Sequence, residues 1–128
     1  MKISYDKQEK YTYMRLNEEN LNSVIAPNVK SEFVSLQSNG TKNLIMDFSD
    51  VVYVDSSGLS AILTAERIFK ENGVFVLTGV KSENVKKLIS ISRLEDILNI
   101  VPTLDEAKEF VIMTNLENEL KSEIDSED

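Results

Sequence analysis

The sequence predicts a single α/β domain: a mixed sheet of four or five strands with an N-terminal β-hairpin and three or four helices. Three observations carry this. Strand-type and helix-type patterns alternate along most of the chain, as in strands joined by helical crossovers. Two strand-type runs, "NLIMDF" (43–48) and "VFVLT" (74–78), are apolar almost without interruption, as strands covered on both faces must be. The first sixteen residues instead hold two short extended runs around a polar loop, which adds an antiparallel edge. A chain of 128 residues fits one domain and can bury a core without covalent staples.

Each element has a local reason. Residues 3–5 and 11–16 pair as the hairpin across "DKQEK". A helix follows over 24–38, with Pro27 acceptable in its first turn and Asn39-Gly40 as its stop. The strand at 43–48 leads to 51–54, a second short extended segment or a return loop. From Ser57 a helix runs to about residue 72, with Leu59, Ile62, Leu63 and Phe69 along one side and Gly73 at its end. After the strand at 74–78, "SENVKKLISI" (82–91) is a helix. Val85, Leu88 and Ile89 face inward, and Ser82 and Glu83 sit at its start. "ILNIV" (97–101) is a short last strand. Pro102 interrupts, and a final helix runs from 104 to about 116. The domain thus spans 1–116, and 117–128 is an acidic tail, expected to be frayed or disordered and dispensable for folding.

Composition excludes several chemistries. The chain has no cysteine, so disulfides and thiolate metal sites are absent and a reducing compartment fits. It has no histidine either, which removes Ser-His-Asp and Cys-His catalysis and histidine metal ligands. Its net charge is −8, and residues 117–128 hold six acids against one base. No basic stripe is left for a phosphate backbone, so direct nucleic-acid contact is not expected. The N-terminus lacks an apolar signal-peptide core, and no run approaches the ~20 apolar residues of a membrane span, so a cytoplasmic location without membrane insertion is expected. The four glycines are scattered singly, giving no phosphate-cradling loop, and no cofactor site is legible. Enzymatic activity is not expected. Asp47, at the end of "LIMD", invites comparison with a phosphoacceptor aspartate, but Asp6 stands alone where an acidic pair would be needed. Asp47 reads as a strand-end acid, and Asp50 as part of the "FSDV" turn.

One stretch stands apart. In "VVYVDSSGLSAIL" (51–63) an extended run meets an acid, two serines and a glycine at the mouth of a helix. The plain reading makes Ser57 the N-cap, its oxygen accepting an orphan backbone N–H. The alternative makes one serine a phosphorylation site. A helix N-terminus already favours an anion, and a phosphoserine adds about −1.5 to −2 charges that a docked partner would meet.

These residues carry a resemblance. "LNSVIAPNVKSEF" (21–33), "LIMDFSDVVYVDSSGLSAIL" (44–63) and "VFVLTGVKSENVKKLISISRLEDILNIVPTLDEA" (74–107) together resemble a STAS domain, specifically a stand-alone bacterial anti-sigma factor antagonist. The resemblance spans roughly residues 3–113. It implies a switch by phosphorylation of the second serine of "DSSG", Ser57, with Asp55, Ser56 and Gly58 beside it on the partner-binding rim. It also implies the partners: an anti-sigma factor that is also the serine kinase, and a phosphatase that resets the switch. Two positions depart from the family pattern. Asn22 stands where an aspartate is usual, and Arg93 where a glycine is common before the last strand. Turn spacing adds Ser60, Thr64 and Arg67 as contacts on the helix, on the side away from Leu59 and Leu63. The competing reading is a constitutive STAS accessory subunit of a transporter or signalling assembly, which would have no need of the Ser57 hydroxyl.

Overall fold

Helices lie on both faces of a five-stranded sheet, which explains why its inner strands are apolar throughout. The structure, a computed structural model, describes residues 1–126. The chain runs through β1 (Ile3–Lys7), β2 (Thr12–Leu16), β3 (Asn20–Leu21), α1 (Ala26–Ser38), β4 (Leu44–Asp47), β5 (Tyr53–Val54) and α2 (Ser56–Phe69). It continues through β6 (Phe75–Thr78), α3 (Glu83–Ile91), a 3-10 turn at Leu94–Asp96, β7 (Asn99–Val101) and α4 (Leu104–Ser126). The sheet order is β1-β2-β4-β6-β7, parallel except for β1, which pairs antiparallel with β2 from Ile3↔Leu16 to Lys7↔Thr12. The mixed sheet and its N-terminal hairpin are as the sequence predicts.

The larger core fills the space between the sheet and α1, α2 and α3. Phe33 of α1 meets Phe69 and Phe75 edge-on, with ring centroids 6.4 Å apart in both pairs. Met14, Leu16, Leu44, Met46 and Leu77 complete it, all fully buried. Truncating a buried aromatic of this kind to alanine costs about 3–5 kcal/mol. A smaller core lies on the other face, where Ala107 and Val111 of α4 cover Ile45, Val74 and Val76. No helix among the described residues is long and apolar enough to cross a membrane.

Four local readings need correction. First, β3 is absent from the sequence reading. It pairs in parallel with β5 in a separate two-stranded sheet, Asn20↔Tyr53 and Leu21↔Val54. Second, α2 begins at Ser56 with Asp55 as its N-cap, so Ser57 is not the cap, and it ends at Phe69. Third, Leu63 is 38% exposed, and the buried side of α2 is formed by Gly58, Ala61, Ile62, Ala65 and Phe69. Fourth, α4 does not stop near 116 but continues to Ser126, while Glu127 and Asp128 of the acidic tail lie outside the described residues. The start of α3 is as read: Ser82 Oγ accepts from the Val85 N–H at 3.3 Å. Arg93 explains why its position favours glycine, since its φ of 57° lies in the left-handed region.

Candidate functional site

A small lash of backbone hydrogen bonds builds the rim in front of α2. The Glu19 carbonyl accepts from the N–H groups of Val52 and Tyr53 at 2.7 and 3.0 Å, and the Leu21 carbonyl accepts from Asp55 N–H at 3.2 Å. Asp55 is thereby held extended, with φ −98° and ψ −173°, the backbone an N-cap requires. One of its carboxylate oxygens accepts from the Gly58 N–H at 2.9 Å and the other from the Ser23 N–H at 3.2 Å. A single carboxylate therefore ties the start of α2 to the loop before α1. Within that loop the Asn22 side chain accepts from the Val24 N–H at 3.0 Å, and its carbonyl accepts from the Ala26 N–H at 2.8 Å. The amide at 22 thus performs a turn-forming task.

Gly58 is buried and serves the approach of α2 to this lash. A Cβ there would come within 2.4 Å of the Leu21 carbonyl oxygen and 2.7 Å of Val54 Cγ1. It lies beneath the rim, not on its outer surface.

The two serines remain. With the cap supplied by Asp55, Ser56 and Ser57 are the first two helical residues, and neither hydroxyl takes a hydrogen bond among the described residues. Ser56 is exposed and Ser57 half-buried. Both face an open depression of about 300 Å³ between α1 and α2, which Lys30 and Ser60 also line. The Lys30 ammonium donates to Ser60 Oγ at 2.9 Å, so a cation stands at the mouth of the helix. Thr64 is half-buried, and its hydroxyl donates to the Ser60 carbonyl at 2.8 Å. Arg67 is exposed in the last turn, roughly 15 Å of helix rise from Ser57, where it complements the helix dipole. Of the three positions taken from turn spacing, Ser60 alone shares the depression with the serines.

Apolar groups on this rim escaped sequence reading. Val24 is 78%, Tyr53 58% and Val52 37% exposed. Glu18 and Glu19 lie beside Asn22 and Val24 around a neighbouring hollow. The only signal for Tyr53 was its place in "VVYV", which reads equally well as a covered strand.

Across the sheet from the main core, the ends of β2 and β4 carry a polar cluster. Asp47 accepts from the Tyr13 hydroxyl, from Ser49 N–H at 2.8 Å and from Ser49 Oγ at 2.5 Å. Its oxygens are committed to holding the strand end, as the strand-end reading requires. Burial and the Asp47 hydrogen bond push the Tyr13 phenol up to about 12. Arg15 grips Asp50 through two hydrogen bonds of 3.1 and 3.0 Å, which holds the Asp50 carboxyl below the usual range.

Comparison with known proteins agrees with this fold. The STAS domain model matches residues 2–107. Among solved structures, a candidate anti-sigma factor antagonist from Thermotoga maritima is similar at 27% identity and a TM-score of 0.74, over 85% of this chain and 93% of that one. An anti-sigma factor antagonist from Mycobacterium paratuberculosis superposes with a TM-score of 0.74 at 22% identity, over 86% and 92% of the two chains. The Bacillus cell fate determinant SpoIIAA in its phosphorylated form shares the fold, with a TM-score of 0.65 at 18% identity over 86% and 99%.

Proposed function

The chain belongs to the STAS domain family, and from that premise we propose that it is an anti-sigma factor antagonist switched by phosphorylation of Ser57. The observation that carries this is the Ser57 hydroxyl itself. It stands in the first turn of α2, unbonded, while Asp55 does the capping that would otherwise explain it. A hydroxyl relieved of structural duty beside a helix N-terminus and a lysine suits a reversible charge. The choice of Ser57 over the more exposed Ser56 rests on the resemblance to the family motif.

Unphosphorylated, the rim docks an anti-sigma factor and sets its sigma factor free for transcription. Val24, Tyr53 and Val52 offer the apolar anchors, and Glu18 and Glu19 favour a partner with basic groups at its edge. The partner acts as the serine kinase. The Ser57 oxygen forms a bond to the γ-phosphorus of ATP as the bond to the β-phosphate oxygen breaks, and the hydroxyl proton passes to a base on the kinase. ADP leaves. This chain is the substrate in that step and performs no catalysis of its own; a phosphatase restores the hydroxyl by hydrolysis. The backbone N–H groups of the first turn and Lys30 offset part of the new charge, so the domain stays folded. The partner, shaped to a neutral hydroxyl, meets nearly two charges at the contact and is released.

The test is a pull-down from a lysate of the native host with wild-type protein, Ser57→Ala and Ser57→Asp as baits. Wild type and Ser57→Ala are expected to capture a GHKL-type kinase, which ATP then releases from wild type alone. Ser57→Asp is expected to capture at least ~30-fold less, as two or more kcal/mol at a contact implies. Phosphate mapped to Ser56 alone, or Ser57→Asp binding as tightly as wild type, overturns the switch.

A further inference from the structure

The two edges of the sheet differ in what they leave open. With the order β1-β2-β4-β6-β7, β1 and β7 each lack a neighbour on one side. β7 is only three residues long and Pro102 follows it at once, which blunts that edge. β1 is five residues long, and Ser4, Tyr5, Asp6 and Lys7 are all exposed. The hydrogen-bonding phase of β1 follows from its two ends. The Asn17 N–H donates to the Lys2 carbonyl at 2.9 Å, and the Gln8 N–H donates to the Tyr11 carbonyl at 2.8 Å. In an antiparallel ladder the even-numbered residues therefore bond to β2, and Ile3, Tyr5 and Lys7 turn their backbone groups to the open side. Side chains alternate as well. The Tyr5 hydroxyl reaches Glu32 of α1, so Ile3, Tyr5 and Lys7 lie on the α1 face while Lys2, Ser4 and Asp6 lie on the other.

Charge selects the occupant. Charged side chains guard an open edge against most strands. Here the guards are of opposite sign: Lys2 and Asp6 stand on one face, and neither has an ion-pair partner among the described residues. A second copy of β1, laid antiparallel with Ser4 opposite Ser4, sets Lys2 opposite Asp6 of that copy, and does so twice by symmetry. These are non-hydrogen-bonded pairs, in which side chains come closest. On the α1 face the same register sets Ile3 opposite Tyr5, again twice, and ties each pair by backbone hydrogen bonds. Lys7 falls opposite Met1, beside the Glu18 carboxylate that holds the Met1 ammonium at 3.8 Å. Sliding one strand by two residues separates both charge pairs, and sliding it by four toward Gln8 sets Asp6 against Asp6. We infer that the chain forms a two-fold dimer in which the β1 strands pair antiparallel about Ser4, so that the two five-stranded sheets become one. A single strand pair is a small contact, below the ~1,200 Å² of stable interfaces, and the dimer is weak, with a Kd on the order of 100 μM. Neither α2 nor Ser57 takes part, so the inference stands apart from the switch.

Because the chain has no cysteine, single substitutions read the register directly. Non-hydrogen-bonded partners have Cα atoms ~4.5 Å apart, within disulfide reach, so oxidised Ser4→Cys is expected to link two copies. Asp6→Cys, whose counterpart lies ~13 Å away along the strand, is expected to stay unlinked. Sedimentation velocity of the wild-type chain, from low micromolar to about millimolar, should show passage from monomer toward dimer. Lys2→Asp, which sets acid against acid, should weaken association at least ~5-fold with the circular dichroism and melt unchanged. Combining Lys2→Asp with Asp6→Lys restores both pairs in reverse and should recover the association. A monomer throughout the range, or a Ser4→Cys variant that fails to link, overturns the dimer. Asp6→Cys linking as fast as Ser4→Cys, or a double reversal that associates no better than Lys2→Asp alone, overturns the register.

Discussion

Asp55 and Ser57 show how much depends on which of two nearby candidates does the capping. Asp55 accepts backbone hydrogen bonds from both Gly58 and Ser23, so it holds two elements at once. Replacing it by alanine removes a cap and leaves a second N–H without its partner, an expected loss of about 1–3 kcal/mol. Ser57→Ala removes a hydroxyl with no internal bond and should fall within about 0.5 kcal/mol of wild type. Urea denaturation of the two variants checks the order, and a Ser57→Ala loss equal to that of Asp55→Ala would return the cap to Ser57. The sequence reading gives the cap to Ser57 where the structure gives it to Asp55, because aspartate and serine cap equally well. What separates them is the extended backbone at Asp55, set by hydrogen bonds to residues 19–21 that no local pattern reveals. Arg93 was legible as a departure from the family, and its left-handed φ supplies the physical reason.

At the scale of elements, α2 reaches the β3–β5 pair only because position 58 lacks a side chain. Gly58→Ala gains up to about 1 kcal/mol of helix propensity but drives a methyl into the Leu21 carbonyl, a backbone atom that cannot swing aside. The net expectation is a loss of about 1–3 kcal/mol by thermal or urea melts, with the rim loosened around Asp55. An alanine variant as stable as wild type would mean that α2 can withdraw from β3 at no cost. The elements that sequence reading placed well were those with a strong period or a continuous apolar run. The hairpin, β4, β6, α1 and α3 all bury a face that the pattern states outright. The two-residue strand β3 was illegible, and β5 was read only as a short extended segment or a return loop at 51–54, because so few residues carry no period and their pairing is purely backbone. The end of α4 was illegible for another reason: its acids read as a solvated tail, and its stripe of Ile112, Met113, Leu116, Leu120 and Ile124 lies on a face that the domain leaves uncovered.

Over the whole molecule, the absence of histidine and cysteine shapes the response to pH. No side chain here ordinarily titrates between about pH 5 and 8, so stability should be nearly flat there. The alkaline side is different. The Tyr13 hydroxyl donates to Asp47, joining β2 to β4, and the Tyr5 hydroxyl donates to Glu32, joining β1 to α1. Burial, then the carboxylate partner, raises both phenols, Tyr13 to about 12 and Tyr5 further. A folded value above the unfolded one means the contribution is whole below about pH 10 and is lost as pH climbs through about 12. Both groups are substantially solvated, so screening reduces each contribution to about 1 kcal/mol or less. On the acid side two groups oppose one another. Burial raises Glu66, with Lys70 acting against it, so its contribution is present at low pH and lost as pH rises through its folded value. Arg15 lowers Asp50, whose contribution is present above the ordinary aspartate range and lost as pH falls. The decisive measurement is urea denaturation between pH 8 and the alkaline limit for wild type, Tyr13→Phe and the Tyr5→Phe/Tyr13→Phe pair. Wild type should lose stability above about pH 10, and its advantage over Tyr13→Phe should narrow across the same interval, with most of the loss gone in the double variant. A double variant that keeps the full alkaline loss would show that these two tyrosine lashings do not set it.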